Sequence, residues 1–143
     1  MFRFMKKDKG FSLVELLAVI IIMTILASIA VPIYLRYTER GKAAGPKAYL
    51  RSVKQAYDTY FTMNGTTDGY QIEDALDDAG ISKAVKTQWD FDVIGNPPKE
   101  FVCTSTSEFE SGEGKQVRFL VEDNKYEGWG IDVFTDIETG GQN

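Results

Sequence analysis

The feature that most constrains this chain is an uninterrupted apolar run close to its N-terminus. Residues 16–35 contain no charged side chain, and Glu15 is the single charged residue in the wider segment 11–35. Twenty residues of α-helix rise about 30 Å, which matches the hydrocarbon core of a bilayer. The run therefore predicts a membrane-spanning helix. The four basic residues among the first nine favour a cytoplasmic N-terminus for it.

Composition excludes several kinds of catalytic site. The chain has 143 residues, no histidine and one cysteine, Cys103. It therefore lacks the residues for a Ser/His/Asp triad, a Cys/His pair, a His-based zinc site, a CxxC metal knuckle or an intramolecular disulfide. We expect no catalytic residues, no metal and no cofactor. The chain is therefore not expected to be an enzyme. A site built only from carboxylates is left open by composition alone.

Charge is divided unevenly along the chain. Residues 1–54 carry ten basic and three acidic side chains, whereas residues 55–143 carry six basic and eighteen acidic ones. Such asymmetry predicts that the two parts meet different environments. Because phosphate contacts need Lys and Arg, the acidic part is not expected to bind nucleic acid.

The residues that join the basic start to the apolar run form a specific pattern, KGFSLVE, from Lys9 to Glu15. This pattern resembles the class III signal of type IV pilins and type II secretion pseudopilins. The resemblance implies that residues 1–10 are a leader, that a prepilin peptidase cuts between Gly10 and Phe11, and that the new N-terminal Phe11 is N-methylated. It also implies that Pro32 kinks the helix, as a proline does in many members of the family.

Glu15 is the residue that alternative interpretations of the run explain least well. A secretory signal peptide, with Ser28-Ile29-Ala30 as its cleavage site, a plain membrane anchor and a tethered binding or enzymatic domain all remain alternatives. None of them gains from a carboxylate in an apolar helix, which costs about 2.5–3.5 kcal/mol at mid-membrane. In the family, cleavage exposes the amine of Phe11, and we expect Glu15 to pair with that amine on another subunit. Stabilisation of the helix N-terminus by Glu15 is compatible with this role.

Beyond residue 35 the pattern becomes amphipathic. Apolar residues recur at spacings of three and four, namely Tyr49, Val53, Ala56, Tyr57 and Tyr60. They predict that one helix runs from near Phe11 to about Thr62, with either a bend or a break at Gly45-Pro46. The basic residues Arg36, Arg40, Lys42 and Lys47 are either solvated or a collar that meets acidic surface on neighbouring subunits.

The C-terminal part shows the signals of a small antiparallel sheet. Residues 89–93, 117–119 and 131–133 alternate between apolar and polar side chains, residues 101–104 give a possible fourth strand, and residues 72–76 predict a short helix. The expected fold is α+β, with a long N-terminal helix whose second half packs on the sheet. The predicted segments are 1–10 (leader), 11–35 (membrane and polymerisation helix), 36–62 (amphipathic helix) and 63–143 (globular head).

The head lacks the disulfide of many type IV pilins, and a calcium site is one alternative to that disulfide. The second cysteine of their C-terminal disulfide is missing, and Cys103 reads as a small buried hydrophobe in a strand. Some pseudopilins use calcium instead of the disulfide. Four side chains supply suitable oxygens, namely Asp123, Asn124, Asp132 and Asp136. Solvated turn and strand positions explain the same residues without a metal.

The resemblance implies a structural subunit of a type IV pilus that serves adhesion, motility or DNA uptake. Its expected partners are the prepilin peptidase, further copies of itself in a helical filament, an inner-membrane assembly platform and minor pilins. We expect the precursor in a bacterial inner membrane and the processed subunit in a surface pilus. The alternative is a pseudopilin of a type II secretion system, in a periplasmic pseudopilus.

Overall fold

The computed structural model describes residues 10–131. Within them lie helices α1 (Leu13–Asn64), α2 (Ile72–Asp78) and α3 (Lys83–Gln88), and strands β1 (Trp89–Ile94), β2 (Glu100–Ser105), β3 (Gln116–Leu120) and β4 (Lys125–Gly128). The chain divides into two units, Met1–Leu35 and Arg36–Asn143. The predicted leader residues 1–9 and the end of the expected strand at 131–133 lie outside the described residues.

The first unit contains the apolar part of α1. Its large apolar side chains are exposed, from Leu13 at the start of the helix to Leu35 at the end of the unit. Since none of the described residues 10–35 covers them, this part of α1 has no core among those residues.

The second unit is built on an antiparallel sheet with the strand order β1-β2-β3-β4. Phe91 lies opposite Cys103, which lies opposite Val117 on the next strand. Directly opposed residues project from the same face of a sheet, so these three side chains share a face with Phe101 and Phe119. That face is the apolar one, and it forms one side of the core.

The second part of α1 covers this apolar face. Its buried residues recur at spacings of three and four, as a helix packed along one stripe requires, and they are Ala43, Pro46, Leu50, Val53 and Tyr57. The Tyr57 ring contacts Phe101 at 5.4 Å between centroids, and the Tyr49 ring contacts Phe91 at 6.5 Å. The structure confirms the α+β fold with a long N-terminal helix and a small four-stranded sheet.

The buried stripe of α1 differs in part from the predicted one. Val53 and Tyr57 are buried as expected, but Tyr49, Ala56 and Tyr60 are only partly buried and flank the core. Leu50 takes the central position at 1% exposure. The prediction weighted the aromatic residues too heavily, because tyrosines at the edge of a stripe keep their hydroxyl groups in water.

The helix passes through Gly45-Pro46 without a break. Pro46 is itself buried, as part of the buried stripe of α1. Packing of this side chain in the core compensates for the backbone hydrogen bond that a proline removes. Of the two expectations for this dipeptide, a true break of the helix is therefore wrong.

The last strand among the described residues 10–131 lies earlier than predicted. It is β4, and Ile131 lies in a turn after it, so the expected start of a strand at Ile131 is wrong. Gly128 and Gly130 both have positive φ, +104° and +71°. Two such residues turn the chain out of the extended conformation. The alternation of residues 131–133 gave no sign of this turn.

The sequence analysis did not predict helix α3. Ser82 caps this helix, because its side chain accepts a hydrogen bond from the Val85 N–H.

Candidate functional site

The predicted cleavage junction is exposed ahead of α1. The side chain of Phe11 is 82% exposed, and a Cβ added to Gly10 would meet no atom within 4 Å. The fold of the described residues therefore places no steric demand for glycine at position 10. A demand for glycine there would come from another molecule, such as a protease that must approach the peptide bond closely.

Ser12 and Glu15 form a reciprocal cap at the start of α1. The backbone N–H of Ser12 donates to Oε2 of Glu15 at 2.7 Å, and the backbone N–H of Glu15 donates to Oγ of Ser12 at 3.2 Å. The carbonyl of Ser12 accepts the first bond of the helix from the Leu16 N–H at 3.2 Å. This is the capping box, in which a serine and a glutamate three residues later satisfy each other's free backbone donors.

The capping box gives Glu15 a partner within its own chain. Its carboxylate stands in the first turn, where the helix dipole also favours a negative charge. The sequence analysis singled out Glu15 but missed Ser12. The Ser-x-x-Glu spacing directly before an apolar run was the signal that predicts this cap.

Residues 13–35 present apolar surface all round the helix. Every large apolar side chain from Phe11 to Leu35 is at least 49% exposed. α1 contains a window with a mean hydropathy of 2.8, and by length and composition it is able to cross a membrane. The prediction of a spanning helix agrees with this.

Two hydroxyl groups in the apolar segment are satisfied by the helix itself. The Thr24 hydroxyl donates to the carbonyl of Ile21 at 2.8 Å, and the Ser28 hydroxyl donates to the carbonyl of Ile25 at 2.7 Å. Such bonds allow hydroxyl side chains in a medium without water. Pro32 stands inside this continuous helix and has no N–H for the carbonyl of Ser28. Its role as a kink stays a prediction.

Lys42 and Lys47, two of the basic residues after the apolar segment, have partners within their own unit. Nζ of Lys42 lies 2.9 Å from Oε1 of Glu110 and donates to Oγ of Ser111 at 2.9 Å. Nζ of Lys47 lies 5.1 Å from the ring centre of Tyr126. The predicted collar therefore partly serves to hold the helix against its own head.

Cys103 is fully buried in the middle of β2. Burial raises the pKa of its thiol to about 12, so the side chain stays protonated at neutral pH. The prediction of a small buried hydrophobe is confirmed for this residue.

The residues considered for calcium are only partly described. Asp123 and Asn124 lie exposed in the turn between β3 and β4, whereas Asp132 and Asp136 lie outside the described residues. Among residues 10–131 no group of three or more Asp, Glu, Cys or His side chains is arranged to hold a metal ion.

Comparison with known proteins gives two matches and one negative result. Residues 5–31 match the family model of the prokaryotic N-terminal methylation motif. The chain is 26% identical over 131 residues to the type IV major pilin protein PilA of Myxococcus xanthus (strain DK1622), a match that covers 80% of this chain. The chain spans 56% of the length of that relative. No solved structure matches it.

The matched motif covers the junction and most of the apolar segment, and the relative is a type IV pilin. Both matches support the resemblance to the type IV pilin family drawn from residues 9–15. The family is one of structural subunits rather than of enzymes. The roles of Gly10, Phe11, Glu15 and Pro32 themselves stay predictions.

Proposed function

We propose that this chain is the structural subunit of a type IV pilus. A prepilin peptidase removes residues 1–10 after Gly10, Phe11 is N-methylated, and the subunits polymerise through residues 11–35 into a helical filament. The observation that supports this most strongly is a helix segment whose apolar side chains are all exposed and whose one charge is Glu15. Such an apolar surface is stable in water only when another molecule covers it. In this proposal the membrane covers it before assembly, and the helices of neighbouring subunits cover it in the filament core.

Glu15 has two successive partners in this proposal. Before cleavage its carboxylate accepts the hydrogen bond from the Ser12 N–H. Cleavage creates the amine of Phe11, and inside the filament the carboxylate of one subunit pairs with the amine of another. Desolvation offsets much of the attraction in such a pair, while a charge left unpaired in an apolar core is strongly penalised. The pair therefore fixes the axial register of subunits more than it stabilises them.

The membrane location follows from the same residues. The precursor lies in the inner membrane with its basic N-terminus in the cytoplasm, and the assembly platform passes the processed subunit to the growing surface pilus. The acidic head forms the outside of the filament, since removal of residues 1–10 leaves 12 basic and 20 acidic side chains on 133 residues. Minor pilins and the peptidase are the further partners.

A pseudopilin of a type II secretion system is the second candidate. It is supported by the single cysteine, because Cys103 has no second cysteine with which to form the C-terminal disulfide of many type IV pilins. Both candidates share the same processing and the same helix. They differ in the location of the filament, which is the cell surface for a pilus and the periplasm for a pseudopilus.

The test is to shear cells, isolate surface filaments and measure the mass of their subunit. We expect long filaments whose subunit starts at N-methylated Phe11. Deletion of the chain should abolish these filaments and leave protein secretion unchanged. A secretion defect without surface filaments would support the pseudopilin, and a mature chain that retains residues 1–10 would contradict both candidates.

A further inference from the structure

The charge of the second unit changes sign part-way along α1. Residues 36–54 carry six basic side chains and one acidic one, and residues 55–82 carry six acidic side chains and no basic one. Nζ of Lys54 and Oδ2 of Asp58 meet at the boundary, 2.5 Å apart. The second part of α1, with the segment that follows it, is therefore strongly polarised along its length.

The basic part borders a groove between α1 and the end of the sheet. This groove has a volume of about 560 Å³, and its cationic side chains are Arg40, Lys47 and Arg51. Ala44 and Ala48 keep the helix side of it open, and Tyr126 of β4 lines the other side. We call it the basic groove. Its lining suits an acidic partner that also offers some apolar contact.

Arg51 is an exposed cation of the basic groove that lies close to Tyr126. Burial raises the pKa of the Tyr126 hydroxyl, and the positive charge of Arg51 lowers that pKa in part. The cation and the aromatic ring thus line the same pocket.

The acidic part culminates in α2. Four of its seven residues are acidic, namely Glu73, Asp74, Asp77 and Asp78, and all four are exposed. Asp77 pairs with Lys86, and Asp78 accepts a hydrogen bond from the Tyr70 hydroxyl at 2.6 Å. Glu73 and Asp74 add, after burial, to the raised pKa of the Tyr57 hydroxyl, so their negative charge acts on that side chain. We call Glu73, Asp74 and Asp77 the acidic patch.

The two surfaces lie at different levels of α1. The basic groove borders residues 40–51, whereas α2 borders a separate groove with Ala56, Tyr60 and Met63. At about 1.5 Å per residue, the midpoints of these stretches are roughly 20 Å apart along the helix. Within one subunit the acidic patch therefore cannot enter the basic groove.

We propose that the basic groove of one subunit receives the acidic patch of a neighbouring copy. Two different surfaces on one chain make a head-to-tail contact, and such contacts repeat without closing when subunits are arranged on a helix. This inference rests on the proposed function, because the filament is what brings copies together. It adds a second contact, between heads, to the contact between apolar helices.

Charge reversal at one exposed residue on each side tests the contact in the full chain. Arg51→Glu and Glu73→Lys each place like charges opposite each other, and we expect each to lower the amount of sheared surface filament by about tenfold. The double variant R51E/E73K restores opposite charges across every contact and should return filaments to near the wild-type amount. Lys99→Glu and Glu113→Lys make the same charge changes at exposed positions away from both surfaces and should leave filaments unchanged.

Cysteine cross-linking reads the same contact directly. Because Cys103 is buried, it contributes little background under mild oxidation. With R51C/E73C in one chain we expect a ladder of dimers, trimers and higher species, because each subunit supplies both ends. Either single variant should give no ladder.

Several results would overturn the inference while leaving the proposed function intact. These are wild-type filaments from Arg51→Glu, no rescue in the double variant, or no ladder although filaments form. Rescue of Arg51→Glu by basic substitutions at Asp132, Asp136 and Glu138 instead would assign the groove to the chain's own C-terminal segment. If the wild-type chain forms no filament of either kind, the proposed function fails, and the contact between copies fails with it.

Discussion

The two parts of α1 use the same helix in opposite ways. In residues 13–35 every large apolar side chain is at least 49% exposed. In the second part, by contrast, Leu50 is 1% exposed and packs in a core with Val53 and Tyr57. The second part finds its partner in the sheet of its own chain. The first part has no such partner among the described residues 10–35, and the proposed function supplies one in the membrane and in neighbouring subunits. Folding of the chain thus buries the apolar surface of the second part of α1 and leaves that of the first part exposed.

The charges follow the same division. The apolar part holds only Glu15, which is tied into the cap with Ser12, whereas residues 36–54 alone carry seven charged side chains. In the proposed filament, this single charge decides which neighbours fit, because an unpaired carboxylate is costly in an apolar core. In the head, individual ion pairs such as that of Lys42 with Glu110 are exposed and contribute little each.

The largest expected effect comes from Gly10→Val. The variant should remain an unprocessed precursor in the inner membrane, because a branched side chain obstructs the peptidase at the scissile bond. The head should fold normally, since position 10 has no neighbour within 4 Å. Mass spectrometry checks whether the protein retains residues 1–10, and thermal unfolding in detergent checks the head. A processed Gly10→Val subunit would show that glycine is not what the junction requires.

A pair of identical truncations contrasts the two parts of α1. Leu50→Ala should lower the free energy of unfolding of the head by about 2–5 kcal/mol, because it leaves a cavity in the core. Leu26→Ala removes the same atoms from an exposed position and should leave the unfolding of the head unchanged. Thermal or denaturant unfolding of both full-length variants in the same detergent makes the comparison. Equal losses from both would mean that the apolar part contributes to the stability of the head.

Close packing of the turn after β4 predicts a smaller loss. A Cβ at Gly130 would lie 2.7 Å from both the Cβ of Ala43 and the carbonyl oxygen of Glu39, and φ there is +71°. Gly130→Ala should therefore cost about 2–4 kcal/mol, from backbone strain together with a forced shift of the helix. Gly112→Ala is the control, with φ of +96° and no atom within 4 Å, and should cost only about 1 kcal/mol. Unfolding midpoints of the two variants decide whether the contact with α1 matters.

The smallest expected effect concerns Tyr70 at high pH. Burial, followed by the hydrogen bond to Asp78, raises the pKa of Tyr70 above its ordinary value of 10.0. A raised pKa in the folded state means that the stabilisation is complete below pH 10 and is lost as the pH rises above it. Tyr70→Phe should cost about 1 kcal/mol at pH 7 and should flatten the fall of stability above pH 10. Unfolding curves from pH 7 to 11 test this, and equal slopes for both proteins would contradict it.

The sequence predicted most of the architecture where periodicity was strong. The long helix, the short α2 and strands β1, β2 and β3 all came from spacings of two or of three and four. It failed at β4, where Lys125 and Tyr126 precede a glycine in the strand, and at α3, whose six residues are too short for a periodic signal. In both places neighbouring elements, rather than local pattern, decide the structure.

The candidate site was predictable in its chemistry but not in its local partner. Gly10, Phe11 and Glu15 stood out because each departs from what a plain anchor needs. The cap between Ser12 and Glu15 was predictable from their spacing, since Ser-x-x-Glu directly precedes an apolar run. The basic groove was not readable at all, since it depends on where Tyr126 comes to lie beside α1.

Glu15→Gln, compared with Ser12→Ala, tests the central claim most directly. Glutamine keeps an oxygen that accepts from the Ser12 N–H, so Glu15→Gln preserves the cap and removes only the charge. Ser12→Ala removes the hydroxyl of the cap and preserves the charge. In both variants leader removal should proceed. The amount of sheared surface filament should fall at least about tenfold in Glu15→Gln, as expected when the Phe11 amine is left unpaired in an apolar core, and stay near wild type in Ser12→Ala. Normal filaments from Glu15→Gln would contradict the pairing and leave Glu15 as a helix cap alone.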